Sequence, residues 1–329
     1  MAIPWAWTWT SVPPALSIRV PLRYVAPMLS RMSDLVYRTQ DAICAALAAI
    51  DGQRFRDETW TRPEGGGGRS RMLEDGRVLE RAAVNVSVVG GTLSPDAALA
   101  MSAGRAHAKD LDPRFSAAGI SLVLHPRNPF APTTHANYRY FLRGPADAPA
   151  AWWFGGGADL TPAYLFEEDA VHFHRVHKQA CDRHDPGYYP RFKRWADDYF
   201  LIPHRQERRG VGGIFFDDLN DRPAAELFPL VESCAAAFLQ AYVPILERRH
   251  DTPYEASHRR WQELRRGRYV EFNLMYDRGT RFGLATQGRI ESILLSMPRI
   301  ARWEYDARPA AGSPEARLLD VLRTPRDWV

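Results

Sequence analysis

Residues 121–144 read SLVLHPRNPFAPTTHANYRYFLRG, and residues 152–177 read WWFGGGADLTPAYLFEEDAVHFHRVH. Three strand-like runs lie within this stretch or at its edge: Ile120 to Leu124, Asn137 to Leu142, and Trp152 to Phe154. The links between them are too short for the crossover helix that a parallel pair requires, so the strands are expected to pair antiparallel. From Glu167 the pattern becomes helical, with three acidic residues opening the segment.

Working outward, Ala83 to Val89 alternates with period two, and Asp75-Gly76 between Met72-Leu73 and Val78-Leu79 marks a hairpin turn. Further strands are expected at Val211 to Phe216, Tyr269 to Met275 and Arg281 to Thr286. Helices are expected from Asp34 to about Ile50 behind a Ser33 cap, and at about 166–183, 190–200, 226–249, 254–266 and 314–323. The fold class is therefore α+β, a large flat antiparallel sheet sandwiched between helices. Residues 34–329 show no linker and read as one domain. Residues 1–33 lack Asp and Glu, are rich in Trp and Pro, and read as an N-terminal extension without fixed structure.

The chain has 329 residues, 45% of them apolar, enough for a sizeable core. Its apolar runs fall short of the roughly 20 residues that span a bilayer, so no membrane span is expected. Cys44, Cys181 and Cys234 are odd in number and form no CxxC pair, which points to a reducing, cytoplasmic setting. Of 43 basic residues all but Lys109, Lys178 and Lys193 are arginine, a composition suited to binding carboxylates in pairs. No basic run is interleaved with aromatics, so nucleic acid is not the expected anion. The four glycines at Gly65 to Gly68 lack a following GK[ST], and a close backbone approach explains them better than a phosphate loop.

Six of the ten histidines, His125, His135, His172, His174, His177 and His204, fall within eighty positions. A β-hairpin would bring His125 and His135 together, and His174 and His177 share a helix face. For His172, His177 and His184 a hydrogen-bonded surface or interface role is the simpler reading. His135 sits at the start of a strand, where an imidazole can exchange protons near neutrality. Asp159 either caps a turn into the next helix or faces a ligand brought close by Gly155 to Gly157. Arg139 is either a solvated strand residue or an anion clamp, and Asp217 with Asp218 either cap the next segment or meet an arginine. Gly288-Arg289 can present an amide and a guanidinium to a carboxylate.

Four blocks, HPRNPFAPTTHANYRYF, WWFGGGADLTP, HRQERRGVGGIFFDDLN and RGRYVEFNLMYDRGTRFGL, together resemble the oxygen-dependent coproporphyrinogen III oxidase family over about residues 34–329. The resemblance implies a homodimer that decarboxylates two propionates of coproporphyrinogen III to vinyls, giving protoporphyrinogen IX with O2 as acceptor and CO2 and H2O2 as products. It implies His135 as proton donor and Asp159 as a catalytic carboxylate near the pyrrole nitrogens, with Arg139 also at the reacting centre. Ser121, Asn137, Tyr138, Arg139, Gln287, Gly288 and Arg289 would contact substrate, Gln287 standing where many relatives have glycine. No organic cofactor is implied, in keeping with the absence of a GxGxxG fingerprint. A divalent metal such as manganese is implied at His125, His135, His174 and His204. Two other readings remain open on the residues: a non-haem iron oxygenase using His125, His135 and Asp159 as a facial triad, and a tetrapyrrole carrier without catalysis.

Overall fold

The computed structural model describes residues 27–95, 98, 112–285 and 289–329, with nothing described for the side chains of Phe282 and Ala285. Its centre is a seven-stranded sheet, antiparallel throughout and ordered β1-β2-β3-β4-β5-β6-β9. The strands are β1 (Arg56–Thr61), β2 (Gly66–Glu74), β3 (Leu79–Thr92), β4 (Arg114–Pro126), β5 (Thr133–Arg143), β6 (Ala151–Thr161) and β9 (Gly213–Leu219). A separate pair, β7 (Leu201–Ile202) and β8 (Glu207–Arg208), lies before β9. The first six strands follow one another in space as in sequence, as short links require. Gly65 and Gly66, with φ of 120° and 85°, make the tight turn from β1 into β2 in the left-handed region that favours glycine.

The helices are α1 (Pro27–Asp51), α2 (Glu167–Asp182), α3 (Tyr188–Tyr199), α4 (Ala224–Arg249), α5 (Ala256–Met275), α6 (Arg278–Ala285), α7 (Ile290–Leu294) and α8 (Pro314–Arg323). Side chains alternate between the two faces of each strand. On one face Val84, Val86, Ile120, Leu122, Ala136, Tyr138, Phe154 and Ala158 are buried against α1, α2 and α4. Tyr138, an expected substrate contact, belongs to this core face. It is 1% exposed, and its hydroxyl donates to the Cys234 carbonyl of α4 at 2.9 Å. Helix α4 is long and apolar enough by length and composition to cross a bilayer, yet Leu230, Val231, Phe238, Tyr242 and Ile245 on it are core residues.

The α+β class, the antiparallel sheet and its covering by helices on both faces stand as expected. Three local expectations do not. Tyr269 to Met275 and Arg281 to Thr286 were expected as strands, but the first lies in α5 and residues 281–285 lie in α6. In the first, Arg268-Tyr269-Val270-Glu271-Phe272 mimics period two over a few residues, while Leu264, Tyr269 and Phe272 bury one face of a continuous helix. In the second, Asp277 caps α6, its Oδ2 accepting from the Thr280 amide at 2.7 Å. Residues 27–33 are helical rather than unstructured: α1 begins at Pro27, and Ser33 is inside it rather than at its cap. Leu29 and Met32 are buried there, which ties the first turns to the core. Residues 1–26 lie outside the described residues.

His177 is a further correction. It is fully buried on α2 beside Phe173, and neither ring nitrogen has a partner. Burial, reinforced by His174, pushes its pKa from 6.5 to about 3. His174 and His125 are likewise pushed down to about 3, burial being the main cause in both. Between pH 6.5 and 3 the unfolded chain therefore binds more protons than the folded one, so stability is full above 6.5 and is lost as pH falls. Replacing His177→Leu removes two unsatisfied atoms. It should stabilise the protein by about 1 kcal/mol at neutral pH and flatten its acid destabilisation in melting curves taken from pH 7 to 4. A large loss of stability at pH 7 would contradict this.

Candidate active site

The other face of the sheet differs in chemistry. Read across the strands, one row runs Glu58, Ser70, Asn85, Ser121, Asn137, Gly157 and Phe215, and the next runs Trp60, Gly68, Ser87, Gly119, Arg139 and Gly155. Small and polar residues replace the apolar alternation. β4 is the middle strand of the seven, yet Ser121 near its centre is exposed, so this face has an open floor.

The glycines determine what lies on that floor. A Cβ on Gly155 would stand 2.7 Å from Arg139 Nε and 2.8 Å from its Cζ and Nη2, so the missing side chain lets the guanidinium lie flat across β6. Arg139 reaches past it to Asp217 on β9, with Nη2 2.8 Å from Oδ1. Its Nη1 donates to Asn137 Oδ1 at 2.7 Å. The arginine reading of Asp217 thus holds.

The row beyond brings His135 opposite Asp159 on the adjacent strand. His135 Nδ1 donates to Asp159 Oδ1 at 2.8 Å, leaving Nε2 with only a long contact of 3.5 Å from Asn137 Nδ2. Asp159 is 2% exposed and also receives two bonds from Arg209 Nη2, at 2.9 and 2.8 Å. Thr161 Oγ1 stands 3.5 Å from its Oδ2. Burial pushes the Asp159 carboxyl up, but Arg209 and His135 outweigh burial and hold it below the usual carboxylate value. Asp159 is a strand residue whose side chain caps no turn.

Arg209 and Asn273 were not singled out from the sequence. Arg209 is 3% exposed, donates through Nη1 to Asn273 Oδ1 at 2.6 Å, and has the rings of Phe200, Tyr269 and Phe272 at 4.4, 4.6 and 4.8 Å from its Cζ. The HRQERRGVGG segment carries three arginines beside a glycine-flanked strand, but nothing in its order says which turns inward.

The expected metal ligands do not converge. His125 Nε2 donates to the Ser296 carbonyl at 3.0 Å and Nδ1 accepts from Thr133 Oγ1 at 3.2 Å. His174 Nε2 donates to the Val211 carbonyl at 3.1 Å, and its Nδ1 lies 2.9 Å from the Tyr189 hydroxyl. His204 is bonded to Tyr276 and Glu271 at 2.7 and 2.8 Å, outside the sheet. Among the described residues no group of three or more His, Cys, Asp or Glu is arranged to hold a metal ion. Neither the four-histidine set nor the His125, His135 and Asp159 triad fits a metal, since His125 has no free lone pair and Asp159 is held by Arg209.

Of the expected substrate contacts, Ser121, Asn137 and Arg139 share the open floor. Arg289 is ion-paired with Glu58 at its far edge, and Gln287 and Gly288 lie outside the described residues.

A buried, ionised carboxylate behind a strand-borne imidazole, with arginine on a glycine floor, is an arrangement with the chemistry of an enzyme site, able to move a proton beside an anionic group. The coproporphyrinogen III oxidase sequence family matches residues 31–328. The chain is 57% identical over 305 residues to the chloroplastic oxygen-dependent coproporphyrinogen-III oxidase of Glycine max, covering 91% of this chain and 79% of that protein. It is 54% identical over 321 residues to the mitochondrial enzyme of Homo sapiens, covering 96% and 71%. To the enzyme of Drosophila melanogaster it is 53% identical over 309 residues, covering 92% and 78%. The chain belongs to the coproporphyrinogen III oxidase family. The expectation of a cytoplasmic protein does not stand, because the soybean and human relatives are chloroplastic and mitochondrial. Reduced cysteines mark no single compartment.

Gly155→Ala tests the floor. The obstacle it meets is the Arg139 guanidinium, which must shift against its ion pair with Asp217, so the melting temperature should fall by a few degrees. The KM should rise about tenfold, as expected from the loss of one charged hydrogen bond. An unchanged KM would separate Arg139 from substrate binding.

Proposed function

We propose that the open centre of the sheet carries out the reaction named for the family, converting two of the four propionates of coproporphyrinogen III to vinyls and yielding protoporphyrinogen IX. Each turn consumes one O2 and one proton and releases one CO2 and one H2O2. The propionate –CH2–CH2–COO⁻ loses CO2 and a β-hydrogen with its electron pair, and those electrons reduce O2. The observation that carries this reading is the His135–Asp159–Arg209 relay buried at the edge of a floor where Ser121, Asn137 and Arg139 lie open.

Arg139 orients a propionate, with Asn137 and Ser121 beside it. Both Asp159 oxygens are occupied by Arg209, His135 and Thr161, so the carboxylate acts by fixing His135 through Nδ1–H and leaving Nε2 toward the floor. His135 supplies the proton that accompanies peroxide formation. The reduced tetrapyrrole is itself electron-rich, so the electrons come from substrate, and no metal at the four histidines enters the sequence of steps.

A homodimer is part of the same proposal. Leu274, Met275, Leu284, Ile290, Leu294 and Trp303, between 40% and 52% exposed, gather in the C-terminal segment from the end of α5 onward.

The experiment is O2 uptake with reduced substrate, using enzyme stripped by a chelator and checked for residual metal. Wild-type protein should retain turnover. Asp159→Asn, which keeps the shape but loses the charge, should lower kcat by about 10²- to 10⁴-fold. Uptake abolished by chelation and restored by iron would favour the oxygenase reading. Tight binding without uptake would favour a carrier.

A further inference from the structure

Arg139 on the floor and Arg289 at its far edge are each held by a protein carboxylate, and the two holds differ in kind. Asp217 grips Arg139 from β9, one edge of the sheet, and its side chain is 10% exposed. Glu58 pairs with Arg289 from β1, the opposite edge, and its side chain is 45% exposed against 27% for Arg289. Removing Asp217 from Arg139 would strand a buried charge, at substantial cost. Removing Glu58 from Arg289 returns a carboxylate to water, where it is nearly as well solvated.

Glu58 also stands in the polar row itself, next to Ser70 and in line with Asn85, Ser121 and Asn137. Its carboxylate therefore marks where an acid group presented from the floor would meet Arg289. Helix α7, which Arg289 precedes, is held over the same row independently: Ser292 Oγ lies 2.9 Å from Ser70 Oγ, and Asn85 Nδ2 donates to the Ser292 carbonyl at 3.1 Å. The helix has anchors that survive the loss of the Glu58 pair.

We propose that Glu58 is an exchangeable counter-ion: a substrate carboxylate displaces it from Arg289, while Asp217 stays on Arg139 as a fixed support. This rests on the reading of Arg289 as a substrate contact. The consequence is selectivity. A small carboxylate must displace Glu58 with nothing else to hold it, whereas a tetracarboxylate already anchored at Arg139 presents its remote acid group at high effective concentration. Glu58 thus keeps Arg289 closed to stray anions and is specificity-determining without touching the reacting atoms.

The test compares Glu58→Gln, Glu58→Asp and Arg289→Met in steady-state turnover at low and high salt, with malonate as a competing small dicarboxylate. Glu58→Gln should lower the inhibition constant for malonate by about two- to fivefold at low salt, the range of an exposed ion pair, and the KM for the already anchored substrate by less, with kcat little changed. Both effects should shrink at high salt, and Glu58→Asp should behave more nearly as wild type. If Arg289→Met raises the KM while Glu58→Gln moves neither constant, or only lowers the melting temperature, the pair is structural and the exchange is refuted. If Arg289→Met also leaves the KM unmoved, Arg289 is no substrate contact, and the underlying reading falls with the exchange.

Discussion

The active face depends on one ion pair, Arg209 with Asp159, both almost wholly withdrawn from water. Either charge alone at that depth would be costly, and breaking such a pair by removing one partner typically costs about 3–5 kcal/mol. Asn273 and three aromatic rings hold the guanidinium in place, so the carboxylate stays ionised against the pull of burial. Its position on β6 directly opposite His135 turns a stability feature into a chemical one. The imidazole is oriented by a charge that never needs to reach the substrate.

Around this pair the sheet serves two purposes through its alternation. One face is a continuous apolar core against α1, α2 and α4. The other gives up side-chain volume at Gly119 and Gly155, where Arg139 takes the space, and at Gly157, where the β9 backbone at Ile214 and Phe215 comes close, and its floor is open at Ser121. The glycines do not form a loop for phosphate or dinucleotide. They are strand residues that let a long side chain lie along the backbone, and the same pattern at Gly68 accommodates the ring of Trp60.

Much of this was legible in the chain. Short links between alternating runs dictate antiparallel pairing, but the β5–β6 register that sets Asp159 opposite His135 did not show, since the strand was expected to end at Phe154 and Asp159 to cap a turn or face a ligand. The helical period of α4 and the helix expected at about 314–323, which is α8, were plain. Long-range choices were not legible. Arg205, Arg208 and Arg209 are near neighbours, yet only Arg209 finds Asp159, Asn273 and an aromatic cage that sequence order does not bring together. The segment at Tyr269 failed because a few residues of a buried helix fit period two as well as 3.6. The histidines misled for a related reason. His125 and His174 are fully buried with both nitrogens engaged, and His204 is committed to Tyr276 and Glu271, so nearness in sequence did not make them ligands.

The central claim is that the Asp159 charge fixes which nitrogen of His135 faces the substrate floor. Nitrogen-15 spectra of histidine-labelled protein measure this directly, with the His135 signals assigned by their absence in His135→Gln. Through a pH titration, Nδ1 should stay in the protonated range while Nε2 is the nitrogen whose shift moves, and Asp159→Asn should abolish that asymmetry. If Nδ1 is the nitrogen that moves in the wild-type protein, Asp159 does not hold the imidazole and the account is wrong.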